Sequence, residues 1–243
     1  MSLIKKNQFL PVDYNTSSDF GCTDTKELLE TNLKTQTGNW EYRNKPVKYT
    51  VNSRGYRTAE FKNIDWANSI VVFGCSGVFG VGLDDEDTIS SQLEKISGLP
   101  VVNLGVNGSS MTYSLHNSII LKNGYPTPKA VVHIWTDYHR TVYYRRNRIE
   151  SYGSWNLEKN NYMDVWSNSD HHSATHGLMA SITSKHLWSN TSYYEASFMP
   201  ETTNLINCDY LKREDFARDL MHPGTKTARN TAIKIADNLK CKQ

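Results

Sequence analysis

Short apolar runs alternate with amphipathic stretches through the middle of the chain. Residues 69–73 read Ser-Ile-Val-Val-Phe and stop at Gly74. That is the pattern of a strand buried on both faces of a parallel sheet. Residues 100–104 repeat it and end at Gly105, and residues 130–135 repeat it again. Between these runs, residues 87–97 place Ile89, Leu93 and Ile96 on one helical face, and residues 110–122 read as a second helix. Strand, helix, strand, helix, strand with short connections predicts a parallel sheet with right-handed crossovers. Further on, residues 205–208 read as a fourth strand and 212–217 as a short helix. Residues 225–239 read as a terminal helix with Ala228, Ala232, Ile235 and Leu239 along one stripe.

The flanks are less regular. Residues 1–45 are polar, with one short helix predicted near Lys26–Lys34. The alternation of Val47, Tyr49 and Val51, then Tyr56, around Asn52-Ser53-Arg54-Gly55 predicts a hairpin. Residues 1–67 are therefore read as an N-terminal extension packed on a main domain spanning 68–243. Residues 140–200 break the rhythm with many Tyr, Trp, Arg, Asn and Ser. A stretch that long inside a compact domain reads as a functional insertion.

Composition narrows the class. The 243 residues are 38% hydrophobic and 21% charged, which suits a folded domain. A net charge of +2 is too small to point to nucleic acid. The four cysteines, Cys22, Cys75, Cys208 and Cys241, form no close pair, so neither a zinc site nor a disulfide framework is expected. His171, His172 and His176 are read as a solvated polar loop rather than a metal site. No metal and no cofactor are called for. No signal-peptide core and no membrane span are read. The expectation is synthesis in the cytoplasm without a secretory signal and no membrane partner. A homo-oligomer is compatible with this reading.

Three short constellations carry chemistry. Gly74-Cys75-Ser76-Gly77-Val78-Phe79-Gly80 follows the first strand, where a serine hydroxyl can enter the crevice at the sheet's carboxyl edge. Asn103-Leu104-Gly105-Val106-Asn107-Gly108-Ser109 follows the second, and its glycines let backbone amides approach a substrate oxygen. Asp219-Leu220-Met221-His222-Pro223-Gly224 places an acid three residues before a histidine in a turn. The carboxylate can hold one ring nitrogen while the other takes a proton from a serine.

Together, in this order, the blocks resemble the SGNH/GDSL hydrolase family over about residues 68–239, with the insertion unmatched. The first block matches at Gly74, Ser76 and Gly80, the second at Asn103 and Gly108, and the last at Asp219, His222 and Pro223. The resemblance implies a flavodoxin-like three-layer α/β/α sandwich with a parallel sheet. It also implies ester hydrolysis through an acyl-enzyme, with Ser76 as nucleophile, His222 as base and Asp219 orienting the histidine. The amides of Ser76 and Gly108 would bind the oxyanion.

Two departures stand out. Cys75 replaces the family's aspartate. In the third block, where the family supplies an oxyanion Asn, the chain reads Trp135-Thr136-Asp137-Tyr138-His139-Arg140 with no Asn. The counterpart is Asp137 or Tyr138. A Tyr hydroxyl could donate to an oxyanion, whereas an ionised Asp would repel it. The aromatic insertion suggests an acylated glycan or other acylated small molecule as partner, with Trp155, Trp188 and Arg145 as substrate contacts. Beside an esterase, the sequence leaves open an O-acyltransferase using the same triad, or a non-catalytic glycan-binding or structural protein on this fold. A chain without an export signal meets glycans through incorporation into a viral particle or through intracellular glycan metabolism.

Overall fold

A computed structural model describes residues 9–10, 18–145, 148–153 and 170–240. Five parallel strands form the main sheet: β1 (Ile70–Gly74), β2 (Val101–Gly105), β3 (Ala130–Trp135), β6 (Ser192–Ser197) and β7 (Asp209–Tyr210). Their spatial order is β2-β1-β3-β6-β7. Among these five strands that is the 2-1-3-4-5 order of flavodoxin-like sheets, and the expected three-layer sandwich holds. A separate antiparallel pair, β4 (Thr141–Arg145) and β5 (Arg148–Tyr152), follows β3.

Alternation along the strands builds two cores. Ile70 and Val72 face one cluster, and Val71 and Phe73 face the other. The first cluster is closed by α3 (Ile89–Ser97) and the terminal helix α7 (Thr225–Lys240), whose predicted stripe of Ala228, Ala232, Ile235 and Leu239 is buried. The second is closed by α4 (Met111–Gly124), through Tyr113, Ile120 and Leu121, and by Trp188 just beyond α5 (Asp170–Leu187). Thr88 and Ser110 cap α3 and α4 with their side-chain oxygens. Among the described residues, no helix is long and apolar enough to cross a membrane.

The N-terminal segment is integral to both cores. Tyr42, Val47 and Tyr49 join the first, and Phe9, Leu10, Tyr56 and Trp66 the second. Helix α1 (Lys26–Thr35) lies where it is predicted. The expected hairpin is absent. Tyr49 pairs with Ser18 rather than with a returning strand, and the one backbone bond from Asn52 to the returning chain goes to the Tyr56 carbonyl. Arg57 explains the local path. Its buried guanidinium donates to the carbonyls of Lys48, Phe79, Gly80 and Leu83, so the chain folds around it instead of pairing with itself.

Two further expectations change. The fourth sheet strand is β6, inside the expected insertion, whereas residues 200–206 form α6 (Pro200–Ile206). Pro200 at the first turn favours that helix. Residues 212–217 are not helical: their amides and carbonyls serve the loop that carries the Asp219–His222 turn.

Candidate active site

Ser76 is the first residue of α2 (Ser76–Phe79), the one-turn helix that follows β1 directly. Its amide therefore has no carbonyl one turn back to bond. The helix presses so closely on β2 that a Cβ at Gly105 would meet the Phe79 nitrogen at 2.5 Å, so only glycine fits there. Asn103 fastens the contact: its Nδ2 donates to the Val78 carbonyl at 2.8 Å, and its Oδ1 accepts from the Gly105 amide. Asn103 thus braces the helix that carries Ser76 from inside. The Gly108 turn is tied to the end of β1 as well. The Val106 amide and the Ser109 hydroxyl both donate to the Gly74 carbonyl, and Gly108 has a φ of +68°, open to glycine.

The opposing wall is the loop of residues 215–224. The Asp215 carboxylate closes it by accepting from the Lys226 and Thr227 amides, the first turn of α7. Inside this loop Leu220 takes a left-handed φ of +58°. That conformation costs a non-glycine residue about 1 kcal/mol, and the reversal brings Asp219 beneath His222. Asp219 Oδ1 accepts from the Met221 and His222 amides, both at 3.0 Å. Its Oδ2 lies 2.6 Å from His222 Nδ1. On the other side of the ring, His222 Nε2 lies 2.8 Å from Ser76 Oγ. The structure thus brings Ser76, His222 and Asp219 into one hydrogen-bonded line. Burial alone would push the Asp219 carboxyl up. The His222 ring, the Thr23 hydroxyl and the Met221 amide outweigh burial and hold it below the usual carboxylate range.

Thr23 is a site residue that sequence reasoning missed. Its hydroxyl donates to Asp219 Oδ2 at 2.7 Å. It comes from the N-terminal segment, and no spacing signals it. The neighbouring Asp24 holds Arg218 through a buried ion pair, with Nη2 to Oδ2 at 2.8 Å, and accepts from the Tyr49 hydroxyl. The segment therefore fixes the turn at Arg218 and the acid at Asp219 together. A hydrogen bond to a charged group contributes ~1.5–3 kcal/mol. If Asp219 orients His222 for proton transfer, Thr23→Val is expected to lower kcat about 10-fold, reflecting part of that energy. Thr23→Ser should retain most of the rate. A Val variant with wild-type kcat in a steady-state ester assay would remove Thr23 from the site.

A cleft of about 270 Å³ opens over Ser76 and His222, walled by Phe198, Met199, Met221, Thr136 and Arg140 among others. Asp137 and Tyr138 do not line it. The Asp137 carboxylate accepts from the His139 amide, and the Tyr138 hydroxyl donates to Asp170 at the start of α5. Both side chains therefore bond outside the cleft wall. Trp188 is also corrected: it is fully buried in the second core, with Nε1 donating to Ser118 Oγ, and cannot touch a substrate. Arg145 ends β4, and Trp155 lies outside the described residues. Cys22, Cys75 and Cys208 are free thiols. Among the described residues, no group of three potential ligands could hold a metal ion.

No protein-family model and no curated protein matches this sequence. Several solved structures are similar in fold. An acetyl xylan esterase from the rumen bacterium Butyrivibrio proteoclasticus matches at TM-score 0.44 and 9% identity, over 74% of this chain and 65% of that one. A psychrotrophic esterase from Pseudoalteromonas matches at TM-score 0.45 and 14% identity, over 72% and 98%. A member of the lipolytic protein G-D-S-L family from Veillonella parvula matches at TM-score 0.43 and 12% identity, over 70% and 96%.

Proposed function

We propose that this chain is a serine-type hydrolase of carboxylic esters, acting on a short acyl group carried by a carbohydrate. One observation carries the reading: the unbroken line from Ser76 Oγ to His222 Nε2 at 2.8 Å and from His222 Nδ1 to Asp219 Oδ2 at 2.6 Å. In this reading Ser76 Oγ attacks the ester carbonyl while its proton passes to Nε2. The negative oxygen of the tetrahedral intermediate meets the amides of Ser76 and Gly108. His222 then returns the proton to the leaving alcohol, which departs and leaves an acyl-enzyme. Water, deprotonated by the same nitrogen, releases the acid. Asp219 keeps the Nδ1 proton in place and stabilises the imidazolium.

The size of the cleft and its Phe198, Met199 and Met221 wall suit an acetyl or similarly short chain. The carbohydrate half of the proposal draws on position. The Tyr- and Arg-rich β4–β5 hairpin starts at Thr141, directly after the cleft residue Arg140. The test is labelling by a fluorophosphonate probe together with release of p-nitrophenol from its acetyl ester. The wild-type chain is expected to do both and Ser76→Ala neither. A wild type inert to both ends the hydrolase reading. Product analysis with an acetylated oligosaccharide and a free sugar acceptor then separates hydrolysis from transfer: acetate release supports the proposal, and an acetylated acceptor replaces it with transfer.

A further inference from the structure

The turn after β3 sends one cation back over the cleft. Arg140 shares the cavity wall with Ser76 and His222. Its Nη1 donates to Cys75 Sγ at 2.8 Å, and that sulfur lies 3.6 Å from Ser76 Oγ. The backbone behind it is braced: Thr202 Oγ1 donates to the Thr136 carbonyl and accepts from the Tyr138 amide, and the Arg140 amide donates to Asp137. The guanidinium is therefore held within one side chain of the nucleophile by a turn that is itself fixed to α6.

Resting on the ester-hydrolase reading, we propose that Arg140 is a further catalytic residue, the third donor to the oxyanion, and that Cys75 positions it. The two departures from the SGNH/GDSL pattern then become one change. A sulfur in the first block accepts the guanidinium that the third block supplies in place of an asparagine amide. A guanidinium carries five N–H donors in a rigid fork, so one edge can rest on sulfur while another meets a substrate oxygen. Its full charge faces an oxygen that becomes negative only in the tetrahedral state, which is where a preorganised donor accelerates a reaction.

The electrostatics of the wall agree. Burial pushes the Cys75 thiol up. The Arg140 charge, the Ser76 hydroxyl and amide, and the Thr136 hydroxyl more than offset it and hold the thiol below its usual range.

The experiment compares wild type, Arg140→Ala, Arg140→Lys and Cys75→Ala, each as the whole 243-residue chain, on p-nitrophenyl acetate, with thermal melts to confirm folding. Arg140→Ala is expected to lose about 100-fold in kcat, with KM nearly unchanged, and Arg140→Lys to keep part of the rate. Added methylguanidine should restore activity to Arg140→Ala and not to Ser76→Ala. Cys75→Ala should lower kcat less, without raising KM, and add nothing on top of Arg140→Ala. An Arg140→Ala chain with wild-type kcat overturns the role. So does a loss confined to KM, which would mark a ground-state anion contact instead. If Arg140→Ala does not fold, an Arg140→Lys chain with less than a threefold change in kcat overturns it, and a larger kcat loss at constant KM supports it. A wild type that is inert to ester and probe overturns the hydrolase reading, and this role with it. An active wild type with an indifferent Arg140 overturns this role alone.

Discussion

His222→Ala is expected to cut kcat on p-nitrophenyl acetate by roughly 10⁵- to 10⁶-fold, with KM little changed. A serine hydroxyl is a poor nucleophile at neutral pH unless a base removes its proton as it attacks. His222 Nε2 stands 2.8 Å from Ser76 Oγ, within reach of that proton before any rearrangement. The side chain is only partly exposed, between the Asp219 carboxylate and the cleft, so the ring has little freedom to leave the line. Residues that act as a unit fail as a unit. Ser76→Ala combined with His222→Ala should therefore be no slower than either single variant. Stopped-flow acylation gives the check, because the initial burst of nitrophenol should vanish in all three variants. Retention of kcat within tenfold in His222→Ala would show that the proton leaves by another route and would remove the triad from the mechanism.

The parts of this arrangement that the chain announces are the local ones. Asp219 and His222 are three residues apart in one turn, and Ser76 directly follows the residue after an apolar strand, so motif and element coincide. The strands β1, β2 and β3 announce themselves because both faces are buried and nearly every position is apolar.

β6 does not, although it lies in the same sheet. It reads Ser-Tyr-Tyr-Glu-Ala-Ser. Tyr194 and Ala196 face the first core, while Glu195 is buried on the other side. That carboxylate accepts from Trp135 Nε1, Ser181 Oγ and the Tyr193 hydroxyl and pairs with the Lys185 ammonium, and a pattern of apolar positions signals none of these polar partners. Leu205 and Ile206 misled in the opposite direction. Their apolar pair fills a small cluster with Met111 and Trp135 from a helix, which ends at Asn207 with φ +50°. Thr23 and Arg140 were illegible for the reason β6 was. Thr23 meets an acid 196 positions away and Arg140 a sulfur 65 positions away, and each is recruited by the fold rather than by a spacing.

Asp219→Asn is expected to lower kcat about 10⁴-fold at neutral pH. The backbone amides of Met221 and His222 would still hold the turn through the remaining side-chain oxygen. The loss would come from the other atom. Oδ2 now accepts from Thr23 and faces His222 Nδ1 at 2.6 Å, so it fixes the tautomer that leaves Nε2 free to take a proton. An amide there offers N–H to Nδ1 and favours the tautomer with Nε2 protonated, which cannot accept from Ser76. It also withdraws the negative charge that stabilises the imidazolium.

The same carboxylate links folding to pH with a definite sign. Its folded-state affinity for protons is depressed, so its contribution to stability is present in full above the ordinary carboxylate range. It is lost as pH falls through the lowered folded value. Urea unfolding of wild type and Asp219→Asn should therefore diverge most at neutral pH and converge in acid. Equal gaps at pH 7 and pH 2 would mean that the ionised carboxylate contributes nothing to the fold. An Asn variant within tenfold of wild-type kcat would mean that it contributes little to the chemistry.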